Sequence, residues 1–304
     1  MRAMRWRWIV PMMLAAALAA GACRTKEQSA APPERGYPQR IISHAPSYTE
    51  MLFAMGAGDR IVAVSDFCVY PPDEVAKLPK VGGLLNPNLE RALALKPDLV
   101  VLMRPQGDLE RRYQALGIPT LRLAIDSLDE LYNSVERLGE AVGKPDEARA
   151  LAAKIRGELD AVRASVKGKR RPRTLFVVEH QPGELRGVYV AAPKTFHGAL
   201  VDIAGGDNIF HDLNTSSGYG SASVELIAER DPEVIIVMTP TGHPTKKDEE
   251  AERRVWSSLP TISAVRSGRV HLLQPDPISV PGPRIGASAR ILAKLIHSEI
   301  DAAP

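Results

Sequence analysis

Cysteine is nearly absent from the 304-residue chain, which holds only Cys23 and Cys68. Cys23 closes an N-terminal leader, so Cys68 has no intrachain partner in the mature chain. A disulfide framework is excluded, and cysteine usage leaves the redox compartment open. Aromatic residues are scarce, at 5% of the chain. Net charge is also scarce. The balance of +3 is small for this length and partly owed to Arg2, Arg5 and Arg7 at the extreme N-terminus. No broad polyanion-binding surface follows, and nucleic acid is not an expected partner. The chain has no Gly-x-Ser-x-Gly elbow, phosphate loop or His-Glu-x-x-His, and no Cys-x-x-Cys or His-x-x-x-His spacing. An enzyme is not expected, nor is a resident cofactor or structural metal.

What is present begins with an Arg-rich start, an apolar stretch from Trp8 to Leu18, and then small residues. That order is a secretory leader, residues 1–22, and its apolar part is too short for a confident membrane span. Ala20-Gly21-Ala22 leads into Cys23 and resembles a bacterial lipoprotein cleavage site with Cys23 as the lipidated residue, although Ala20 stands where Leu is usual. Residues 23–38 are polar and rich in Pro and Ala, as in a flexible tether.

The body is organised around Asn88–Met103, a short helix ending before Pro97 and then the apolar run Leu99–Met103. The pattern returns at Ser223–Met238. Glu90 aligns with Glu225, Pro97 with Pro232 and Met103 with Met238, each pair 135 positions apart. A second match joins Leu52–Val62 to Leu200–Phe210. Strands and helices alternate in both halves, so the expectation is an α/β chain of two similar lobes, residues 39–143 and 169–304. Between them, residues 144–168 read as one long helix, a rigid connector.

The residues then resemble a known family. Arg40-Ile41-Ile42-Ser43-His44-Ala45-Pro46-Ser47 with Thr49-Glu50, Tyr70-Pro71-Pro72, Val81-Gly82-Gly83 and Asn88-Leu89-Glu90 are similar to the first lobe of periplasmic cobalamin-binding proteins. Tyr189-Val190-Ala191, Ala204–Phe210 and Pro283-Arg284-Ile285 continue the likeness. It implies the class III periplasmic binding protein fold: two Rossmann-like lobes with central, mostly parallel sheets, joined by one long rigid helix around a ligand cleft. It further implies a monomeric extracytoplasmic lipoprotein, anchored to the membrane through Cys23. That protein hands a corrinoid (cobalamin or cobinamide) to an ABC permease dimer with its ATPase subunits. A ferric siderophore or haem is the alternative ligand; a direct metal-ion receptor and an unrecognised hydrolase are weaker readings. The ligand, a cobalt corrinoid or an iron chelate, would bring any metal with it.

The resemblance also assigns roles to residues. Glu90 and Glu225 match the acidic tips that meet permease arginines, although a Glu in a first helical turn also complements the helix dipole. Phe67 and Tyr219 match aromatics placed against the corrin ring, with core packing as the other reading. Asp276 aligns with a polar ligand contact and equally suits a turn. Leu84 stands where a relative has Trp, Val280 where it has Arg, and Glu179, beside His180, where it is aromatic. His44, His180 and His243 lie on loops expected at the cleft, from which an imidazole would reach a bound cobalt or iron. Cys68 is expected to be an inert thiol.

Overall fold

The computed structural model describes residues 36–84, 86–239 and 244–298; the leader, most of the tether, Cys23 and His243 lie outside them. The first lobe runs β1 (Ile41–Ser43), α1 (Pro46–Ala54), a 3-10 turn at Gly58–Arg60, β2 (Ile61–Val64), α2 (Pro72–Val75), α3 (Leu89–Ala94), β3 (Leu99–Met103), α4 (Gly107–Ala115), β4 (Thr120–Leu123) and α5 (Leu128–Ala141). Its four strands are all parallel, in the order β2-β1-β3-β4. Continuous apolar runs such as Leu99–Leu102 suit a sheet covered on both faces. Ala45 precedes α1 and Pro46 supplies its first turn, the missing N–H being harmless there. Thr49 turns its hydroxyl to the Ala45 carbonyl, the Ser43 hydroxyl and the Cys68 sulfur.

After α6 (Pro145–Val166), the second lobe runs β5 (Arg173–Glu179), β6 (Val188–Ala191), α7 (Phe196–Ile203), β7 (Asp207–Asn208), β8 (Tyr219–Ala222), α8 (Val224–Arg230), β9 (Val234–Met238), α9 (Lys246–Trp256), α10 (Ser263–Arg266), β10 (Val270–Leu273), α11 (Pro275–Ile278) and α12 (Ile285–Ile296). The parallel path β7-β5-β9-β10 repeats β2-β1-β3-β4, while β6 and β8 add antiparallel strands beside β5.

The internal repeat reaches atomic detail. Asn88 and Ser223 each cap their helix by accepting from the backbone N–H three residues on, at Arg91 and Leu226. Among the described residues the non-glycines with positive φ are Lys96 (48°) and Asp231 (43°), again 135 apart and each just before proline. The glycine turns correspond with a shift of one residue from the ungapped match. Gly56 and Gly205, both left-handed, end α1 and α7 with the same bonds, Gly56 to Phe53 and Gly205 to Asp202. A helix end that needs a left-handed residue sets that equivalence, not the flanking apolar letters.

The connector α6 has 22 residues, so it spans about 33 Å. It packs on α5 from the first lobe and on α7 and α12 from the second. Its buried Leu151, Ile155, Leu159 and Val162 join one hydrophobic cluster running from Ile41 to Ile296. A connector embedded in a shared core resists bending, which limits closure to small hinge motion. Helix α9 was not expected from sequence, and Tyr219 opens strand β8.

Candidate functional site

The carboxyl ends of parallel strands are the usual binding edge of an α/β sheet, and both lobes bring theirs to one seam. Arg284, just ahead of α12, crosses it. Its Nε donates to Glu50 Oε2 at 2.9 Å and its Nη1 to Asp276 Oδ2 at 3.0 Å. The guanidinium lies 4.1 Å from the centre of the Tyr70 ring, a cation–π contact. Glu50 is 3% exposed and Arg284 20%, so the pair is largely withdrawn from water. Burial pushes the Glu50 carboxyl above its ordinary pKa, and the bond to Arg284 opposes that rise. Nearby, the Phe196 N–H of the second lobe donates to the Asp126 carbonyl of the first at 2.9 Å. Arg104, at the end of β3, grips both Asp126 and Glu130.

On the first-lobe side, Phe67 is 58% and Tyr70 41% exposed. Phe67 lies beside Gly83, where an added Cβ would sit 3.8 Å from its ring. Leu84 is partly buried there, its carbonyl accepting from the Gln106 side chain. On the second-lobe side, Tyr219 is partly buried and stacks on Tyr189 at 6.2 Å. Its hydroxyl bonds His197 Nδ1 at 3.0 Å. His197 is wedged among Phe176, Phe196 and Tyr219, and burial drives its pKa down to about 3, so the ring is neutral. It holds Tyr219 from behind.

The histidines expected at the cleft have other work. His44 is fully buried, bonds the Tyr113 hydroxyl at 3.1 Å and is pushed down to about 4 by desolvation. Its place in the core, behind the strand end, keeps it from a cleft ligand. His180 gives Nε2 to Glu252 Oε1 at 2.7 Å, and its Nδ1 faces the carbonyls of Gln181 and Glu184. Both nitrogens meet only acceptors, so the ring carries two protons and has no lone pair for a metal. Cys68 is buried against Thr49 and Ser65, with its thiol pKa raised by burial. Among the described residues no group of three His, Cys, Asp or Glu side chains is arranged to hold a metal ion. Glu179 is exposed at the end of β5 and lines a cavity with His180, while Asp276 is held by Arg284. Glu90 and Glu225 are exposed at matching places in the first turns of α3 and α8, and neither makes an ion pair among the described residues.

The bond to Glu252 raises the His180 pKa, against the lowering effect of burial. The folded protein therefore holds this proton more tightly than the unfolded chain. The resulting stability is complete below the unfolded value of about 6.5 and is lost as the pH rises through the raised folded value. Urea unfolding of wild type and His180→Gln across that window is expected to show a gap that narrows with rising pH. A gap independent of pH would contradict the imidazolium assignment.

Sequence reasoning missed Arg284, Glu50, Tyr70 and His197 as site residues. The signal was present for three of them: Glu50, Tyr70 and Arg284 all stand inside the motifs quoted above, unrecognised as partners.

Residues 41–277 match the model of the periplasmic binding protein family. The chain belongs to that family. A vitamin B12-binding protein of Vibrio parahaemolyticus is 30% identical over 250 residues, covering 81% of this chain and 85% of that one. An uncharacterised ABC transporter substrate-binding lipoprotein of Bacillus subtilis is 30% identical over 270 residues, covering 86% and 81%. The apo structure of a periplasmic haem-binding protein from Roseiflexus is 25% identical with a TM-score of 0.70, covering 86% and 98%. The two lobes and single connecting helix are the class III fold. This periplasmic binding protein takes a small-molecule ligand to an ABC permease and is not an enzyme.

Proposed function

We propose that this periplasmic binding protein captures a corrinoid, cobalamin or cobinamide, between its lobes. The observation that carries the reading is the fate of the cations at the strand ends. Arg104 is paired with the carboxylates of Asp126 and Glu130, and Arg284 with those of Glu50 and Asp276. Haem presents carboxylates and many ferric siderophores are anionic, so each calls for uncommitted cations. A corrinoid is fringed by amides and needs none. Phe67, Tyr70 and Tyr219 supply faces for a flat macrocycle, and the likeness to a vitamin B12-binding protein points the same way. Cobalt would arrive with the ligand, without axial ligation from His44 or His180 and without a resident cofactor.

Phe67→Ala and Tyr219→Ala are each expected to weaken cyanocobalamin binding by about 1–3 kcal/mol, measured by calorimetry on the leader-free protein. Affinity unchanged in both variants would remove the aromatic walls from the account. In the same reading Cys23 carries lipid, residues 23–38 form the tether, the protein acts as a monomer, and Glu90 and Glu225 meet the permease. The lipoprotein relative supports the anchor. Metabolic labelling with a radioactive fatty acid tests it, and loss of label in Cys23→Ala is the expected result.

A further inference from the structure

A cavity of about 790 Å³ lies between helix α9 and the carboxyl ends of β5, β9 and β10. Its size falls within the range of about 300–1,000 Å³ usual for small-molecule sites. Every residue lining it belongs to the second lobe, so it is a side compartment, not the space between the lobes. Glu179, Met238 and Pro275 stand at or just beyond the carboxyl ends of β5, β9 and β10, the usual binding edge of such a sheet.

The walls are apolar: Val178, Val237 and Leu272 on the sheet side, Ala251 and Val255 on α9. The charged lining is one-sided, with Glu179, Asp248 and Glu252 against His180. Asp248 is committed to the capping box of Thr245. Glu252 accepts from His180 Nε2 and from Trp256 Nε1, each at 2.7 Å, and both bonds fall on Oε1. Its Oε2 has no partner among the described residues, and the side chain is 14% exposed. The compartment thus combines apolar walls, an unused carboxylate oxygen and an exposed second carboxylate, and among the described residues lining it the one cation, His180, is already bound.

We infer that this compartment is a subsite for a hydrogen-bond-donating arm of the bound ligand, a neutral amide or a cationic amine, and that it excludes carboxylate arms. An amide N–H₂ satisfies Glu252 Oε2 or Glu179 while its methylene stem lies on Val178, Val237 and Val255. A carboxylate in the same place would meet two like charges, with only the uncharged hydroxyls of Thr239 and Ser279 among the described lining side chains to answer it. The inference rests on the corrinoid reading and adds which peripheral chemistry is admitted.

The test is titration of wild type, Ala251→Trp and Glu179→Gln with dicyanocobinamide, whose ring carries amides, and with cobyrinic acid, whose ring carries carboxylic acids. Ala251 is exposed, so its indole is expected to fill the compartment without disturbing the core, with circular dichroism as the check. Wild type is expected to bind cobinamide about ten- to hundredfold more tightly than cobyrinic acid. Ala251→Trp should weaken cobinamide at least about tenfold, and Glu179→Gln should narrow the gap between the two ligands. Variants that bind both ligands as wild type does would overturn the subsite and leave the corrinoid reading standing. Wild type that binds neither ligand would overturn both. If Ala251→Trp fails to fold, Glu179→Gln decides alone.

Discussion

Arg284→Ala is expected to cost about 3–5 kcal/mol of stability, because it leaves Glu50 buried without a counter-charge. For a chain of this size that lowers the melting temperature by on the order of 10 °C. Glu50 is reached by two guanidinium nitrogens of Arg284, and Arg284 comes from the other lobe, so the loss falls on the seam itself. Glu50→Gln should be milder. Arg284 then keeps Asp276 and the Tyr70 ring, and a neutral amide needs no buried partner charge. The double variant Glu50→Leu with Arg284→Ala should recover much of the single loss, since no uncompensated charge remains. Urea titration of wild type, Arg284→Ala, Glu50→Leu and the double variant completes the cycle. A loss below about 0.5 kcal/mol for Arg284→Ala, the ordinary range for a surface change, would mean the pair does not hold the lobes.

Removing both carboxylates proposed to meet the permease, Glu90→Ala with Glu225→Ala, is expected to abolish most transport while ligand affinity stays at the wild-type level. The two side chains are exposed and sit on equivalent first turns, one per lobe, where a two-fold permease would meet them in equivalent ways. Close charge pairs across an interface couple by about 1.5–7 kcal/mol, so even the lower end predicts more than a tenfold fall for each. Permease-stimulated ATPase activity should fall in parallel, and each single variant should show an intermediate defect. In wild type the same stimulation should weaken as salt is raised. Full transport by the double variant would leave Glu90 and Glu225 as dipole-complementing residues and nothing more.

Much of the architecture was legible because the chain states it twice. The apolar runs of β3 and β9, the prolines before them and the caps Asn88 and Ser223 are strong local signals, and duplication made each a check on the other. Helix α9 was not legible. Its sequence, Lys246–Trp256, is charged on nearly every face, so hydrophobic periodicity has little to report, and only the Thr245–Asp248 capping box marked it. Strand β8 hid for the converse reason, since Tyr-Gly-Ser-Ala has low strand propensity and is held by its pairing with β6.

The sequence singled out exposed residues more readily than buried ones. Phe67, Glu90 and Glu225 stand exposed. His44 and His180 look alike as loop residues in sequence, yet burial lowers the pKa of the first and the bond to Glu252 raises that of the second, and their partners Tyr113 and Glu252 are more than sixty positions away. Likewise the Glu50–Arg284 contact joins residues 234 positions apart. Pairings of that range are set by how the lobes meet, which no local pattern encodes.

Titration of the leader-free protein with cyanocobalamin and dicyanocobinamide by calorimetry tests the central claim most directly. The account predicts saturable one-to-one binding of both at micromolar affinity or tighter, about −8 kcal/mol or better. No saturable binding of either, together with tight binding of haem or of a ferric siderophore, would contradict it.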